Sequence, residues 1–495
     1  MSAADELQRT ARELRTPFLG WCGELGRLND SPEWWATALA ARNPYGRFFE
    51  RVCKLALGRE VAALPAPAPQ RAGLLPRLRT RVAPRDDLDP RYRRRVLARH
   101  GLLEPRPFTG DALLVTWIDG RSFGPDGSYR DPHLGALAAL LRDRGLEVAF
   151  VARVLPSFPF ADAVAGLAAS GESFLFPDAY LTPDDQRECT ERARAFAPEL
   201  PGFDAVPAAA ALAREEVERG RSAQAAALAY DPLVRRLAEA GVRPARIVHT
   251  YEGHAWELEL ARAVRQHLPE TALIGYENLN MPRLALSMFP GPGEQRPLPH
   301  RLVTNGPAYA EVLRSEGWPA GTVRVGCGLR HAELWDAPAH TGPCGRRILA
   351  ATEIDPGAAA DLVTKAVAAF GDAVVVKAHP LVPRAELPAG VRYDERPFGE
   401  LLAETDVLLH TNSAVAFEAL AVGVPPLFVR SDSSLDLDPL EFAPELHWTA
   451  RTPEELRAAV DEIAAADLDA WRPRAREAAQ RAIAPPSGAC VEAFL

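Results

Sequence analysis

The chain has 495 residues, enough for about two to four domains, and its 47% hydrophobic and 25% charged residues are typical of a globular protein. The formal net charge of −9 argues against a general nucleic-acid-binding protein, because binding to phosphates requires an excess of cationic side chains. The sequence contains no run of about 18 apolar residues, so we predict no membrane-spanning helix. The acidic first residues do not predict a signal peptide.

The six cysteines are scattered along the sequence. None of them belongs to a CxxC pair, so their spacing predicts neither a disulfide framework nor a zinc site. We therefore expect a cytoplasmic protein in a reducing compartment, with no bound metal and no cofactor. The six positions are Cys22, Cys53, Cys189, Cys327, Cys344 and Cys490.

Residues 1–105 are predicted to form a helical N-terminal region and a linker. Trp and Phe side chains recur at helical spacing in residues 33–55, which indicates packing in a core. The Pro- and Ala-rich segment 63–76 is predicted to be the linker. The arginine-rich segment 77–99 is either a solvated helix face or a patch that attracts anionic lipid headgroups. The second alternative would attach the protein peripherally to the cytoplasmic face of a membrane.

From about residue 110, short apolar strands alternate with amphipathic helices, which is the pattern of a parallel sheet covered by helices. A first block, 106–300, has predicted strands at 112–117, 148–151, 246–250 and 271–276. A second block, 301–495, has predicted strands at 301–305, 323–326, 347–352, 373–377, 406–410 and 426–429, followed by C-terminal helices. The predicted fold class is α/β, with two Rossmann-like domains that face each other and the extra helical N-terminal region.

Ligands of such sheets bind beyond the carboxyl ends of the strands, so the residues after each strand are candidates for function. Lys377, His379 and Pro380 follow the predicted strand AVVVK. Lys377 and His379 lie two positions apart and would project to the same side, presenting a cation and a ring N–H to an anionic group. The alternative is a turn with a satisfied histidine, in which Pro380 ends the strand.

Thr411, Asn412 and Ser413 follow the predicted strand DVLLH and precede an apolar helix. Hydroxyl and amide groups at a helix N-terminus favour an anion, because backbone N–H groups are free there. Ser413 is also predicted to cap that helix. Glu418 lies inside the apolar helix, and it would either hydrogen-bond to ribose hydroxyls or lie at the surface.

In the first block, Glu252 follows the predicted strand RIVHT and would face the cleft as a general base. Glu257 begins the next helix, where an acid complements the helix dipole, so Glu252 is preferred for chemistry. Asp119 and Gly120 follow the strand ALLVTW, as a turn or as one side of the cleft, and Asp119 is the second candidate base. His254 is a further candidate in the Glu252 loop.

A loop with two glycines follows the predicted strand VRV. Gly326 and Gly328 would permit close backbone approach, and Arg330 would meet a phosphate or a carboxylate. The sequence Asp436-Leu437-Asp438 superficially matches a metal-binding DxD, but it lies among other acids beside a proline, so no metal ligand is predicted.

These loops, in this order, resemble those of GT-B glycosyltransferases. HTNSAVAFEALAVGVPPLFV at 410–429 is similar to their donor-site helix. Together with VVVKAHP it resembles the branch that transfers Kdo or sialic acid from CMP-sugars, and the glycerophosphotransferases of teichoic-acid synthesis. Over most of the chain, further segments resemble a bacterial surface-carbohydrate biosynthesis family. These segments are SPEWWATALAARNPYGRFF, WIDG…GSYRDPHLGAL, YEGHAWE, GYENLNMP and VGCGLRH.

The resemblance implies a metal-independent, inverting glycosyltransferase. It would move a sugar, such as Kdo or another nonulosonate from a CMP-sugar, to a surface-polysaccharide or lipid-linked acceptor. Glu252 and His379 would be catalytic, with the acceptor on 106–300 and the donor on 301–495. The predicted donor site is Gly326, Gly328, Arg330, Lys377, His379, Pro380, Thr411, Asn412, Ser413 and Glu418, and the predicted acceptor side is Asp119, Gly120 and His254.

Other functions stay open at this point. A glycerophosphotransferase or a sugar-nucleotide epimerase would share the two-domain fold. A non-catalytic scaffold of a polysaccharide assembly complex would use the helical N-terminal region as its docking surface. The partners expected for the enzyme are a nucleotide sugar and a glycan or lipid-linked acceptor, with no nucleic acid.

Overall fold

The computed structural model describes residues 2–42, 47–59, 89–124, 126–279, 282–341, 345–380, 382 and 387–495. The predicted linker 63–76 lies outside the described residues, as do Cys344 and the part of the arginine-rich segment before residue 89. Within the described ranges, no helix combines the length and the apolar character needed to cross a bilayer.

The N-terminal region is helical, as predicted. Its first helix begins at a capping box in which the Ser2 hydroxyl accepts the Asp5 N–H at 3.1 Å. Trp34 and Trp35 are almost fully buried, so the aromatic pattern forms a core. The helices are α1 (Ala3–Asn29), α2 (Pro32–Trp35), α3 (Ala38–Ala41), α4 (Phe48–Ala56) and α5 (Pro90–Arg99).

Seven parallel strands form the first sheet, in the order β3-β2-β1-β4-β5-β6-β7. Its first six positions follow the order of a dinucleotide-binding Rossmann sheet. The strands are β1 (Ala112–Ile118), β2 (Val148–Val154), β3 (Phe174–Leu175), β4 (Arg246–Thr250), β5 (Ala272–Glu277), β6 (Arg301–Thr304) and β7 (Val323–Val325). The accompanying helices are α6 (Leu137–Arg142), α7 (Phe160–Ala169), α8 (Pro177–Tyr180), α9 (Pro183–Ala195), α10 (Ala209–Arg219), α11 (Arg221–Leu228), α12 (Tyr230–Glu239), α13 (Ala255–His267) and α14 (Pro307–Ser315).

Five parallel strands form the second sheet, in the order β12-β11-β10-β8-β9, which is the other common order of doubly wound sheets. The strands are β8 (Ile348–Ala351), β9 (Val374–Lys377), β10 (Val407–His410), β11 (Pro426–Val429) and β12 (Trp448–Ala450). The helices are α15 (Pro356–Phe370), α16 (Phe398–Ala403), α17 (Val415–Val422), α18 (Pro453–Ala465) and α19 (Leu468–Ala482). The predicted fold class, two Rossmann-like domains with a helical N-terminal region, is confirmed.

The assignment of two strands differs from the prediction. The sequence places β6 and β7 in the second block, but β6 pairs with β5 in the first sheet and β7 pairs with β6. Strand and helix alternate at the same spacing through this region, so the pattern does not reveal which sheet a strand joins. The first sheet therefore continues to Val325, beyond the predicted division at 301.

The C-terminal segment returns to the first domain. The Ala484 N–H donates to the Asn305 carbonyl at 2.9 Å, and Phe494 is buried in the core around the first sheet. A disulfide joins Cys327 and Cys490, whose Cα atoms are 5.9 Å apart. The spacing of the cysteines does not predict this single disulfide, because its two cysteines lie 163 positions apart and only the fold brings them together.

The N-terminal helices also connect the two domains. The Gln8 side chain donates to the Ser434 carbonyl at 3.0 Å and accepts from the Asp436 N–H at 3.1 Å, both in the second domain. On the other side, Arg42 forms a buried ion pair with Glu294 at 2.9 Å. The helical region is thus attached to both domains by buried polar contacts.

We predict that Arg42→Ala destabilises the protein strongly. The two side chains of its pair with Glu294 are 3% and 1% exposed, so the substitution leaves a buried carboxylate without its partner. Burial raises the pKa of Glu294, but Arg42 and Arg296 hold it below its ordinary value. We expect a loss of about 3–5 kcal/mol, measured by urea unfolding.

The matched control is Arg9→Ala, which removes an exposed ion pair with Glu13 on α1. Its expected cost is below about 1 kcal/mol. Equal costs for the two substitutions would contradict the prediction.

Candidate functional site

Each sheet has one point where the strand order reverses, and the candidate residues cluster there. In the first sheet this point lies between β1 and β4, which lead into Asp119 and Glu252. In the second sheet it lies between β8 and β10, which lead into Glu353 and Thr411. Such switch points open a crevice outside the carboxyl ends of the strands.

The loop after β4 has a tightly defined shape. Gly253 has a φ of +82°, and a Cβ atom there would lie 2.2 Å from the Ser287 carbonyl oxygen. Only glycine fits both conditions. The Glu257 carboxylate accepts the backbone N–H groups of Glu252, Gly253 and His254, at 3.0, 2.7 and 2.9 Å. Glu257 therefore holds the loop, and the Glu252 side chain is left to face the cleft with 15% exposure.

Glu252 and His254 form a pair, with 3.2 Å between Oε2 and Nε2. Burial lowers the pKa of His254, but the hydrogen bond to Glu252 and the charge of Glu257 raise it above its ordinary value. Burial also raises the pKa of Glu257 to about 7. The strand end thus carries two carboxylates and an imidazole within contact of one another.

The Asp119 carboxylate forms an ion pair with Arg121, two residues further along the chain. The Arg121 guanidinium donates to both carboxylate oxygens, the shortest contact being 2.6 Å, and Gly120 lies exposed between the two residues. Burial raises the pKa of Asp119, but Arg121 holds it below its ordinary value. His133 lies 4.0 Å from Asp119, and its burial together with the charges of Arg121 and Arg330 lowers its pKa to about 4.

In the second domain, His379 and Lys377 lie at the end of β9 and are half-buried, while Pro380 is exposed. The backbone N–H of His379 donates to the Thr352 hydroxyl at 2.8 Å, which fixes the turn to the neighbouring strand. Burial lowers the pKa of the His379 ring to about 4, and the charges of Arg121 and Arg330 contribute. Arg121 belongs to the first domain, so part of the charge that acts on His379 comes from the other domain.

The segment after β10 has two parts. The Asn412 side chain turns inward, where it donates to Glu353 at 3.2 Å and accepts the Leu437 N–H at 2.7 Å. The Thr411 hydroxyl lowers the pKa of Glu353. Ser413 is half-buried before α17, which begins at Val415 after Ala414 at its N-cap, without a side-chain cap. The predicted capping by Ser413 is therefore not observed.

Glu418 projects from α17 toward the first domain. It lies 3.8 Å from the ring of His331 and is 22% exposed. Burial raises the pKa of Glu418 to about 7, and the charge of Arg330 opposes that rise. A carboxylate in this environment keeps its proton near neutral pH unless a ligand or cation compensates its charge.

The charge of Arg330 changes the pKa of groups in both halves of the site. Arg330 follows β7 on a 3₁₀ segment, Leu329–Asp336, that leads from the first domain toward the second. Its charge lowers the pKa of His133 in the first domain and those of His379 and Glu418 in the second. The charge of Arg330 thus acts on groups of both domains, and Glu252 and Arg330 both act on the pKa of His133.

The two glycines beside Arg330 are explained by packing. A Cβ atom at Gly326 would lie 2.4 Å from the Val303 side chain, and one at Gly328 would lie 3.2 Å from Ile483. Their backbone approaches protein atoms, and the Gly328 N–H donates to Ala484 at 2.8 Å.

The two carboxylates of the DxD sequence already have side-chain partners. Asp436 pairs with Arg430 and Asp438 pairs with His447, both at 2.8 Å. In the part of the chain that the structure describes, no three His, Cys, Asp or Glu residues form a group that could hold a metal ion.

Four residues near the site were missed by sequence reasoning. Glu353 follows β8 directly, which is the signal that was applied to the other loops, and burial raises its pKa to about 7. Arg121 and His133 lie two and fourteen positions beyond Asp119, and nothing in their spacing links them to it. Arg153 lies between the rings of Trp117 and Trp256, 3.7 and 3.6 Å from their centroids, and acts on the pKa of His254.

No family model matches the chain, and no curated protein matches it. Similar solved structures include the S. aureus MnaA–UDP co-structure, with 12% identity over 77% of this chain and 94% of that chain, and a TM-score of 0.44. Glycosyltransferase SnogD from Streptomyces nogalater has 20% identity over 78% and 98%, and a TM-score of 0.43. Spinosyn rhamnosyltransferase SpnG complexed with thymidine diphosphate has 14% identity over 78% and 99%, and a TM-score of 0.43. At these values the assignment of the fold rests on the sheet topology.

We predict that Glu418→Gln changes the pH dependence of stability. The carboxyl of Glu418 keeps its proton in the folded state up to a pKa of about 7, whereas an unfolded glutamate loses it near its ordinary value of 4.5. The wild-type protein therefore loses stability as the pH rises from about 4.5 to about 7. A glutamine does not ionise. The free energy of unfolding of the variant, relative to that of wild type, should therefore increase by about 2 kcal/mol as the pH rises through this range.

The measurement is urea unfolding at pH 5 and pH 8. Glu462→Gln, at an exposed position of α18, is the control and should leave the pH dependence unchanged. A Glu418→Gln profile parallel to that of wild type would contradict the assigned burial of the carboxyl.

Proposed function

We propose that the protein is a glycosyltransferase that uses a nucleotide sugar. The observation that carries the proposal is that the switch points of both sheets lead into polar residues. The Glu252–His254 pair follows β4 of the first sheet, and Thr411 follows β10 of the second. The charge of Arg330 acts on groups of both domains. One wall would carry acid–base groups, and the other would carry groups that can bind a phosphate. This arrangement suits a transfer between two bound substrates.

The donor would bind to the second domain. Ser413 and the backbone at the start of α17 offer hydrogen-bond donors to a phosphate. Lys377 supplies a positive charge at the end of β9, which β8 separates from β10 in the sheet. Glu418 is one turn further along the helix, where its carboxyl would meet ribose hydroxyls. These contacts would hold the nucleotide with its phosphate toward Arg330.

The acceptor would bind to the first domain, with a hydroxyl next to Glu252. Glu252 takes the proton of that hydroxyl as the oxygen forms the new bond to the anomeric carbon and the bond to the donor phosphate breaks. Arg330 and the ring N–H of His379 stabilise the charge that develops on the leaving phosphate. A single displacement with one base would invert the anomeric configuration, and Arg330 and Lys377 supply cationic charge without a metal ion.

The finer specificity is proposed from the sequence resemblance. We propose a CMP-activated nonulosonate as the donor and a surface-polysaccharide or lipid-linked sugar as the acceptor. A lipid-linked acceptor requires contact with a membrane surface. On α5, Arg93 and Arg94 bond to Asp178 on the first domain, whereas Arg91 and Arg95 are exposed and available to anionic headgroups.

We predict that Glu252→Gln lowers kcat by about 10²–10⁴-fold while the affinity for the donor nucleotide stays within about twofold. The amide keeps the size of the side chain but cannot accept the proton. The donor would first be identified by calorimetry with CMP, UDP and dTDP, and transfer would then be followed with the matching sugar nucleotide and a lipid-linked or oligosaccharide acceptor.

His340→Ala, a half-buried histidine of the second domain that bonds to Leu402, is the control and should retain full activity. Turnover of the sugar nucleotide without an acceptor would replace the proposal by an epimerase. Absence of binding to any nucleotide would favour a scaffold. Unchanged kcat in Glu252→Gln would remove Glu252 from the mechanism.

A further inference from the structure

A groove with a volume of about 500 Å³ lies on the first domain beside the cleft. Its walls are the loop from Tyr129 to Ala136, helix α6, and the 3₁₀ segment that carries Arg330. Tyr129, Phe150 and alanines of α6 supply apolar lining. The groove therefore begins at the candidate site and extends along the first domain.

Two walls of this groove are joined by close backbone contact. Gly135 has a φ of +51°, and a Cβ atom there would lie 2.2 Å from the Leu329 carbonyl oxygen. The Ala136 N–H donates to the same oxygen at 3.4 Å. This joint fixes Arg330, the next residue after Leu329, relative to the loop that carries Arg130.

Four arginines line the groove, and two of them, Arg130 and Arg330, form no direct ion pair with a described residue. The charge of Arg130 lowers the pKa of the exposed Asp126. Arg142 pairs with Glu172, and Arg121 pairs with Asp119. Among the residues that the structure describes, none forms an ion pair with Arg130 or Arg330.

The carboxylates that line the groove form no ion pair with Arg130 or Arg330. Asp131 accepts the backbone N–H groups of His133 and Leu134 at 2.9 and 2.8 Å, and burial raises its pKa. Glu333 is exposed at the rim. The groove thus offers guanidinium groups that have no direct carboxylate partner, next to apolar surface.

We propose that this groove binds a phosphate group carried by the acceptor. Guanidinium groups match phosphate oxygens with two parallel hydrogen bonds, and the apolar lining suits the organic part of a phosphate ester. The inference rests on the proposed function, since it assigns a substrate class to the acceptor side of the same cleft. Arg130 anchors the phosphate, and Arg330 lies between this phosphate and that of the donor.

The experiment measures the binding of inorganic pyrophosphate to the full chain by calorimetry at low salt. Arg130→Gln removes only a groove charge, and we expect it to weaken binding about tenfold. Arg324→Gln, an exposed arginine of β7 outside the groove, controls for net charge and should bind like wild type. His379→Ala tests the donor side separately. Arg130 is exposed, and unchanged thermal midpoints would verify that the variants fold.

The outcomes separate the two proposals. Weaker binding in Arg130→Gln together with retained nucleotide binding supports both. Pyrophosphate binding that is lost in His379→Ala but unchanged in Arg130→Gln overturns the groove and leaves the proposed function intact. If the protein binds pyrophosphate in the groove but binds no nucleotide, the groove is an anion site and the proposed donor site is wrong.

Two further probes identify the source of the phosphate. One is sn-glycerol 3-phosphate in solution, and the other is a vesicle containing phosphatidic acid compared with one of phosphatidylcholine alone. The probe whose binding falls in Arg130→Gln, with Arg324→Gln unchanged, is the source the groove accepts. If neither probe depends on Arg130, the proposal is wrong.

Discussion

The structure depends on one constraint, which is the burial of charged side chains at the boundary between the two sheets. Arg330 carries a fixed charge there, with Glu418 on one side and His133 on the other. Burial alone would favour the neutral form of each titratable group, and the guanidinium shifts each of them by its charge. The close contact of Gly135 with Leu329 fixes the backbone directly before this arginine.

The N-terminal helices impose a second constraint, because they bond to both domains at once. Gln8 bridges two backbone positions near Ser434, and Arg42 is buried with Glu294. Polar contacts of this kind are directional, and breaking one without a substitute leaves a buried group unsatisfied. Separation of the helical region from either domain would therefore break buried polar contacts.

The sequence predicted most of the strands and the loops at their ends, because apolar runs and the polar residues after them are local patterns. It could not predict the sheet joined by β6, because pairing partners are not encoded in spacing. The same limit hid the disulfide of Cys327 and the approach of Arg121 to His379, which arise only when distant segments meet. Glu353 shows a different failure: it follows a predicted strand, and the rule used for the other loops would have found it.

The charges at the cleft also determine how ligands and protons are coupled. His133 and His379 have pKa values of about 4 because they are buried next to Arg121 and Arg330. A phosphate bound between those guanidinium groups would cancel part of their field and raise the pKa of both rings. The pKa of Glu418 would rise as well, since the same arginine stabilises its charged form. Anion binding and proton uptake are therefore linked here, because each phosphate that enters raises the fraction of the imidazole rings that carry a second proton.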